Sequence, residues 1–349
     1  MATYKESGVD IELGDKCSAI AYEAAKNTFS SREGMIGRPL IDDGGFSGAL
    51  DMGDYYLVQN DDGVGSKIKI AEKTGIYEGM GYDLIAMVAD DAICMGAETI
   101  SITNTLDVNK LDEEKVRGLM KGLEKAAKEQ KIVIPGGEIA ELGSMLNGYV
   151  WNATAVGILE KNKIITGENI RPGDKIIGLP SAGLRSNGFS LVNHILSKEF
   201  GENWTEQKFN EGKTWGEAAL APSIIYSDTL LEIHGRYNRP KKIEMKGVVH
   251  ITGGGIPGNI KRILKKNGLG AEIGEPPNIP EVFVKLMAIG DVAPEEAYKT
   301  WNMGVAMILI AGEEETQKLL EFFGDKRINA SVIGEVTESP EIKVGTMSF

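Results

Sequence analysis

Four times along the chain an apolar, β-type run breaks at a glycine-bearing segment, and this recurrence limits the fold most. Tyr55-Tyr-Leu-Val58 leads into Asp61-Asp-Gly-Val-Gly-Ser-Lys67, and Ile132-Val-Ile into Pro135-Gly-Gly-Glu138. Lys175-Ile-Ile-Gly-Leu-Pro180 leads into Ser181-Ala-Gly-Leu-Arg-Ser-Asn-Gly188, and Gly247-Val-Val-His250 into Ile251-Thr-Gly-Gly-Gly255. The last two continue into helical patterns over residues 189–200 and 259–264. Strands, small-residue loops and helices in alternation point to an α/β protein. A turn cluster at Ile170-Arg-Pro-Gly-Asp174 marks a boundary, giving domains over residues 1–170 and 171–349.

The first unit carries the clearest chemistry. Glycines after a strand let backbone N–H groups close on an anion, and a neighbouring carboxylate suits the Mg²⁺ that neutralises it. Asp62, Gly63, Val64, Gly65 and Ser66 are therefore candidates for a phosphate loop, with Lys67 as its point charge. An ordinary tight turn uses the same residue types. A second helix is expected from about Tyr82 to Met95. Its apolar stripe, Leu84, Met87, Val88 and Met95, also contains Asp91. A buried carboxylate needs a partner, a proton or a cation, so Asp91 is a metal or active-site candidate. Asp90 lies about a quarter-turn away and is expected to face solvent.

Ile132–Glu141 repeats the logic of strand, glycine pair and carboxylate, which adds Gly136, Gly137 and Glu138 to the candidates. Arg185, Ser186 and Asn187 precede a helix whose N-terminus suits an anion, and Ser186 or Asn187 is placed to cap it. His250, Thr252, Gly253, Gly254 and Gly255 precede another helix bearing Lys261 and Arg262. A plain strand–turn–helix corner accounts for each loop as well. Asn259 stands where a Walker A loop needs lysine, so nucleotide binding here does not follow the P-loop route.

A formal net charge of −13 argues against a nucleic-acid surface. It also means that phosphate binding needs local cations or a divalent metal. Two cysteines and three histidines in 349 residues argue against a disulfide framework or a zinc site. There is no apolar run of membrane-spanning length. The first residues lack a signal-peptide core, so the expected location is cytoplasmic, without a membrane partner.

Seven motifs in one order now define a resemblance. They are Tyr4-Lys-Glu-Ser-Gly-Val-Asp10, Asp62-Gly-Val-Gly-Ser-Lys67, Asp91-x4-Gly96-Ala-Glu98 and Gly136-Gly-Glu-x-Ala-Glu141. Ser186-Asn-Gly-x-Ser-Leu191, His250-Ile-Thr-Gly-Gly-Gly255 and Asn302-Met-Gly-Val305 complete the set. Over nearly the whole chain the sequence resembles the phosphoribosylformylglycinamidine cyclo-ligase family, also called aminoimidazole ribonucleotide synthetases.

The resemblance implies a two-domain PurM-like fold of mixed α/β (α+β) type. Its N-terminal ATP-binding domain would pair into a barrel across a homodimer. It implies that ATP activates the amide-type oxygen of formylglycinamidine ribonucleotide, after which an internal nitrogen closes the imidazole ring and phosphate leaves. By match to the family, Asp62, Asp91 and Glu138 would hold Mg²⁺, Gly63 to Lys67 would wrap the ATP phosphates, and Lys5 would close over the nucleotide. Arg185-Ser-Asn187 and Thr252–Gly255 would meet the ribonucleotide. Departures from the family pattern include Arg185 for His, Asp90 for Asn, Asp61 for Thr and Ala306 for Gly. The segment after Glu141 is also shorter than usual. The alternatives are a kinase or synthetase on the same fold, of the thiamin monophosphate kinase or selenophosphate synthetase type, or a non-catalytic nucleotide binder.

Overall fold

The structure is a computed structural model that describes residues 3, 6–8, 11–40 and 45–349. Lys5 lies outside the described residues. A helix α1 (Ile11–Lys26) precedes the first sheet. Six strands form that sheet: β1 (Arg38–Leu40), β2 (Gly48–Asp51), β3 (Tyr55–Gly63), β4 (Glu98–Val108), β5 (Val133–Glu141) and β6 (Tyr149–Glu160). Their spatial order is β1-β2-β3-β6-β4-β5, which leaves β5 as an edge. Only β4 and β5 run parallel. Among the helices of this half are α2 (Ile68–Thr74), α3 (Gly79–Cys94) and α4 (Glu113–Glu129). Asp112 caps α4 by accepting from the Glu114 and Lys115 N–H groups at 3.0 and 3.1 Å.

The second half holds β7 (Lys175–Pro180), a small hairpin of β8 (Lys208–Asn210) and β9 (Lys213–Thr214), then β10 (Gly247–His250) and β11 (Gly270–Ile273). Strands β12 (Val305–Ala311), β13 (Ser331–Thr337), β14 (Ile342–Val344) and β15 (Met347–Ser348) follow. The larger sheet has the order β10-β12-β7-β13-β11-β14-β15. Its buried second strand β12, Val305-Ala-Met-Ile-Leu-Ile-Ala311, is a continuous apolar run. Helices α5 (Phe189–Phe200), α6 (Trp215–Ala219), α7 (Ser227–His234) and α8 (Gly255–Leu264) lie in the same half. Trp301 is core, packed with Phe283.

Helix α3 joins the halves. It packs on β3 and β6 on one side, on β10 and α7 on another, and against α4. A Cβ at Gly81 would sit 2.1 Å from the Leu123 nitrogen, and one at Gly122 would sit 1.9 Å from the Glu78 carbonyl. Glycine at those two positions is what lets the α3 and α4 backbones touch. One buried cluster runs through both halves, from Leu84 and Trp151 to Phe189, Ile260 and Val305. Among the described residues, no helix is long and apolar enough to cross a membrane.

Candidate active site

The phosphate-loop candidates begin inside a strand. Asp62 and Gly63 belong to β3, opposite Ala153 and Asn152 of β6, although Asp and Gly are poor strand formers. Gly63 is required by close approach, since a Cβ there would lie 2.0 Å from Asn152 Oδ1 and 2.6 Å from the Trp151 carbonyl. The Gly63 N–H donates to Asp62 Oδ1 at 2.7 Å. Asp91 comes from the last turn and a half of α3, as the apolar stripe implies. His250 Nδ1 lies 2.7 Å from Asp91 Oδ1, and Oδ2 has no hydrogen-bond partner among the described residues.

The two acids share a field. Burial raises Asp62 to about 6 against the opposing Gly63 N–H, and the charges of Asp91 and Asp61 raise it further. Burial raises Asp91 to about 7, against the pull of Arg262 and Arg185. Burial and the nearby Arg185 charge lower His250 to about 3, so the ring is neutral. Two partly desolvated, mutually repelling carboxylates are a donor set that suits a divalent cation.

Three glycine-bearing loops converge beside these acids. A Cβ at Gly65 would lie 3.6 Å from the Ser186 carbonyl, and one at Gly253 would lie 3.6 Å from Asn187 Oδ1. Gly65 and Ser66 face solvent. Asn259 holds the Thr252–Gly255 loop by donating to the carbonyls of Thr252, Gly253 and Gly255. Gly254, at φ +92°, takes the N-cap position of α8 without a side-chain bond. Neither Ser186 nor Asn187 caps α5, because Gly188 occupies that position in a left-handed conformation. Asn187 reaches the Met87 sulfur of α3 instead, and the buried Ser186 Oγ has no hydrogen-bond partner among the described residues.

Several sequence expectations need correction. Lys67 is fully buried: its Nζ pairs with Asp83 Oδ2 at 2.6 Å and donates to the Ala221 carbonyl at 3.0 Å. It ties α3 to the 221–227 segment and turns away from the glycine loop. The lysine that does face solvent beside this loop is Lys69. With Ser66, Lys73, Ser190 and Asn193 it lines an open cavity of about 270 Å³. It was visible in sequence only as one of two lysines flanking an apolar residue.

Asp90 is not solvent-facing. Its Oδ1 accepts from the Tyr226 and Ser227 N–H groups at 2.9 and 3.0 Å, and its Oδ2 pairs with an Arg185 Nη at 2.8 Å. Arg185 is therefore buried and is not presented to a substrate phosphate. Two of the positions where the chain departs from the resembled family, Asp90 and Arg185, are partners. His250 is likewise buried, behind Asp91, rather than lining a ligand surface. Arg262 of α8 stacks on Phe46 at 4.0 Å and donates to the Gly45 carbonyl.

Gly136 and Gly137 do not make a turn. Strand β5 runs through them from Val133 to Glu141, exposed along nearly its whole length. Pro135 fits there because an edge strand leaves N–H positions unpaired. Asp62, Ala153, Asn104 and Gly137 form one transverse row of the sheet. Three strand spacings, about 14 Å, thus separate Asp62 from β5. Glu138 lies in the next row, paired to Thr105. Accordingly, among the described residues no three acidic, histidine or cysteine side chains gather as a metal site, so Glu138 does not complete a triad within one chain.

Comparison with known proteins gives this arrangement a context. Residues 44–159 match the family "AIR synthase related protein, N-terminal domain", and residues 171–346 match its C-terminal domain. The chain is 39% identical over 344 residues to the phosphoribosylformylglycinamidine cyclo-ligase of Pyrococcus furiosus, covering 99% of this chain and 98% of that one. It is 37% identical to the protein of the same name from Methanococcus vannielii, covering 98% and 94%. Among solved structures, a thiamine-monophosphate kinase from Stenotrophomonas maltophilia aligns with a TM-score of 0.60 at 14% identity, covering 91% of this chain and 94% of that one. Phosphoribosylformylglycinamidine synthase II from Thermotoga maritima aligns with a TM-score of 0.60 at 15% identity, covering 89% of this chain and 46% of that longer one. These two share the two-domain α/β fold. The full-length identity to the curated relatives, with both domain matches, shows that the chain belongs to the phosphoribosylformylglycinamidine cyclo-ligase family.

Proposed function

We propose that this chain closes the imidazole ring of aminoimidazole ribonucleotide from formylglycinamidine ribonucleotide, with ATP converted to ADP and phosphate. The observation that carries the proposal is the meeting of the Asp62–Asp91 pair with three glycine-bearing loops. Phosphoryl transfer between anions depends mainly on positioning and on neutralising charge. Loops with little side chain supply the positioning by exposing N–H groups, and the acid pair supplies the cation site.

Asp62 and Asp91 would hold Mg²⁺, which when bound neutralises the ATP phosphates in an otherwise acidic protein. Lys69, rather than Lys67, is the lysine available to a phosphate at the Gly65–Ser66 turn. The Ser186–Asn187 and Thr252–Gly255 loops, facing one another at the starts of α5 and α8, would orient the ribonucleotide. Once the substrate oxygen is activated, ring closure needs chiefly proximity, because both reacting atoms belong to one molecule.

We also infer a homodimer built on the β5 edge. Val133 and Ile139 are 63% and 45% exposed there, and an apolar groove of about 700 Å³ runs between Ile139 and α4. An unpaired strand of this kind is a template for a second strand. In such a dimer Gly136, Gly137 and Glu138 would serve at the subunit boundary rather than beside Asp62 of the same chain.

Turnover tests the proposal. With Mg²⁺, ATP and formylglycinamidine ribonucleotide, aminoimidazole ribonucleotide should form one for one with ADP. ADP formed without that product would reject the ring closure.

A further inference from the structure

Asp90 and Asp91 are adjacent on α3, yet a chain of three polar contacts leads from one to the other through two distant segments. Asp90 Oδ2 accepts from an Arg185 Nη at 2.8 Å, the same Nη lies 2.9 Å from His250 Nε2, and His250 Nδ1 lies 2.7 Å from Asp91 Oδ1. The other Arg185 Nη donates to the Ile224 carbonyl at 3.2 Å. Asp90, Arg185 and His250 are all buried, whereas Asp91 keeps 13% of its side chain exposed. The circuit thus opens to the site at Asp91 alone.

Arginine has donors only. The His250 nitrogen facing it must therefore be a lone pair, which leaves the ring proton on Nδ1, pointing at Asp91. We propose that Arg185 is a positioning residue: it fixes the tautomer of His250, and through it the orientation of Asp91. Held in this way, Asp91 spends Oδ1 on the imidazole N–H and offers Oδ2 to the site. Outer partners that set a ligand's tautomer and direction act in this manner in metal sites generally.

The backbone supports a placed rather than incidental guanidinium. Arg185 has φ +57°, a left-handed conformation that is strained for a residue with a Cβ. Such strain persists where surrounding contacts over-determine it. Here Asp90 does so, since its second oxygen is anchored by the Tyr226 and Ser227 N–H groups.

The test begins on the unaltered protein. With only three histidines in the chain, ¹⁵N-histidine spectra of the full-length protein can be assigned with His194→Gln and His234→Gln. His250 should show a protonated Nδ1 and an unprotonated Nε2; a protonated Nε2 overturns the proposal without any turnover measurement. The double variant Asp90→Asn/Arg185→Met removes the circuit without stranding a buried charge. It should lose the Nδ1–H preference and lower kcat about 10-fold or more, with KM for ATP nearly unchanged. A shifted tautomer with wild-type kcat, or a lowered kcat with the tautomer intact, would each reject it. Only this kinetic arm rests on the ring-closure assignment, so the two fail separately.

Discussion

Asp90 and Arg185 form an ion pair at 2.8 Å with side chains 0% and 1% exposed. Seven residues earlier on the same face of α3, Asp83 pairs with Lys67 at 2.6 Å, also out of solvent. Each acid receives backbone N–H groups of the 223–227 segment, Asp83 from Ser223 and Asp90 from Tyr226 and Ser227. The two pairs therefore lock the C-terminal half onto α3 next to the site. Breaking a buried pair from one side costs about 3–5 kcal/mol, whereas replacing both charges by apolar or neutral groups costs far less. Asp90→Ala should lose that amount in urea unfolding and Asp90→Asn/Arg185→Met only a fraction of it. Equal losses would contradict a buried pair.

Lys67 and Lys69 should separate in their effects. Lys67→Met strands Asp83 and should lower unfolding stability by about 3 kcal/mol or more. Lys69→Met should leave the unfolding midpoint unchanged and raise the KM for ATP, on the order of 10-fold for a lost phosphate contact. Thermal unfolding and steady-state kinetics on both variants check this. The reverse pattern would return Lys67 to the phosphates.

Much of this site was legible in the sequence, and the parts that were not share one cause. Asp91 could be placed because its neighbours at helical spacing are apolar, so the periodicity itself marks a carboxylate on a buried stripe. Asp90 could not, since its partner lies 95 residues away and no local pattern announces Arg185. Lys67 was misassigned for the same reason: its partners, Asp83 and the Ala221 carbonyl, come from other segments, and nothing in the Gly65-Ser66 loop before it announces them. Gly136-Gly137 reads as a turn by composition, yet pairing with Asn104 and Thr103 on β4 overrides that local preference. The strand, glycine-loop and helix alternation, by contrast, is local chemistry, and the α/β fold followed from it.

The acid pair makes stability depend on pH in a definite sense. Asp62 and Asp91 titrate at about 6 and about 7 in the folded chain, against 3.8 ordinarily. Raised values mean that both favour folding when protonated. Their contribution is full below about pH 4 and is lost as pH rises through 6 to 7. Without metal, this part of the unfolding free energy should fall between about pH 4 and pH 8, and Asp91→Asn should remove the Asp91 share of the fall. Added Mg²⁺ should stabilise more at about pH 8 than at pH 6, because it needs the ionised acids. Denaturation curves with and without Mg²⁺ decide the matter, and a Mg²⁺ effect that shrinks with rising pH would contradict the assignment.

The β5 edge gives a structural prediction. Val133→Lys with Ile139→Lys places charge on the exposed strand without touching the core, a device that natural edges use to avoid pairing. Sedimentation velocity should show a dimer for the wild type and a monomer for the double variant. A variant that sediments as the wild type would move the interface elsewhere.

The most direct test of the whole account is the turnover of Asp91→Asn with saturating ATP, Mg²⁺ and ribonucleotide. The substitution keeps the size of the side chain and removes the charge that the acid pair offers to a cation. The account predicts a fall in kcat on the order of 10³-fold, with far-ultraviolet circular dichroism retained and the thermal midpoint not lowered. A folded variant with near-wild-type kcat would remove Asp91, and with it the Asp62–Asp91 pair, from the chemistry.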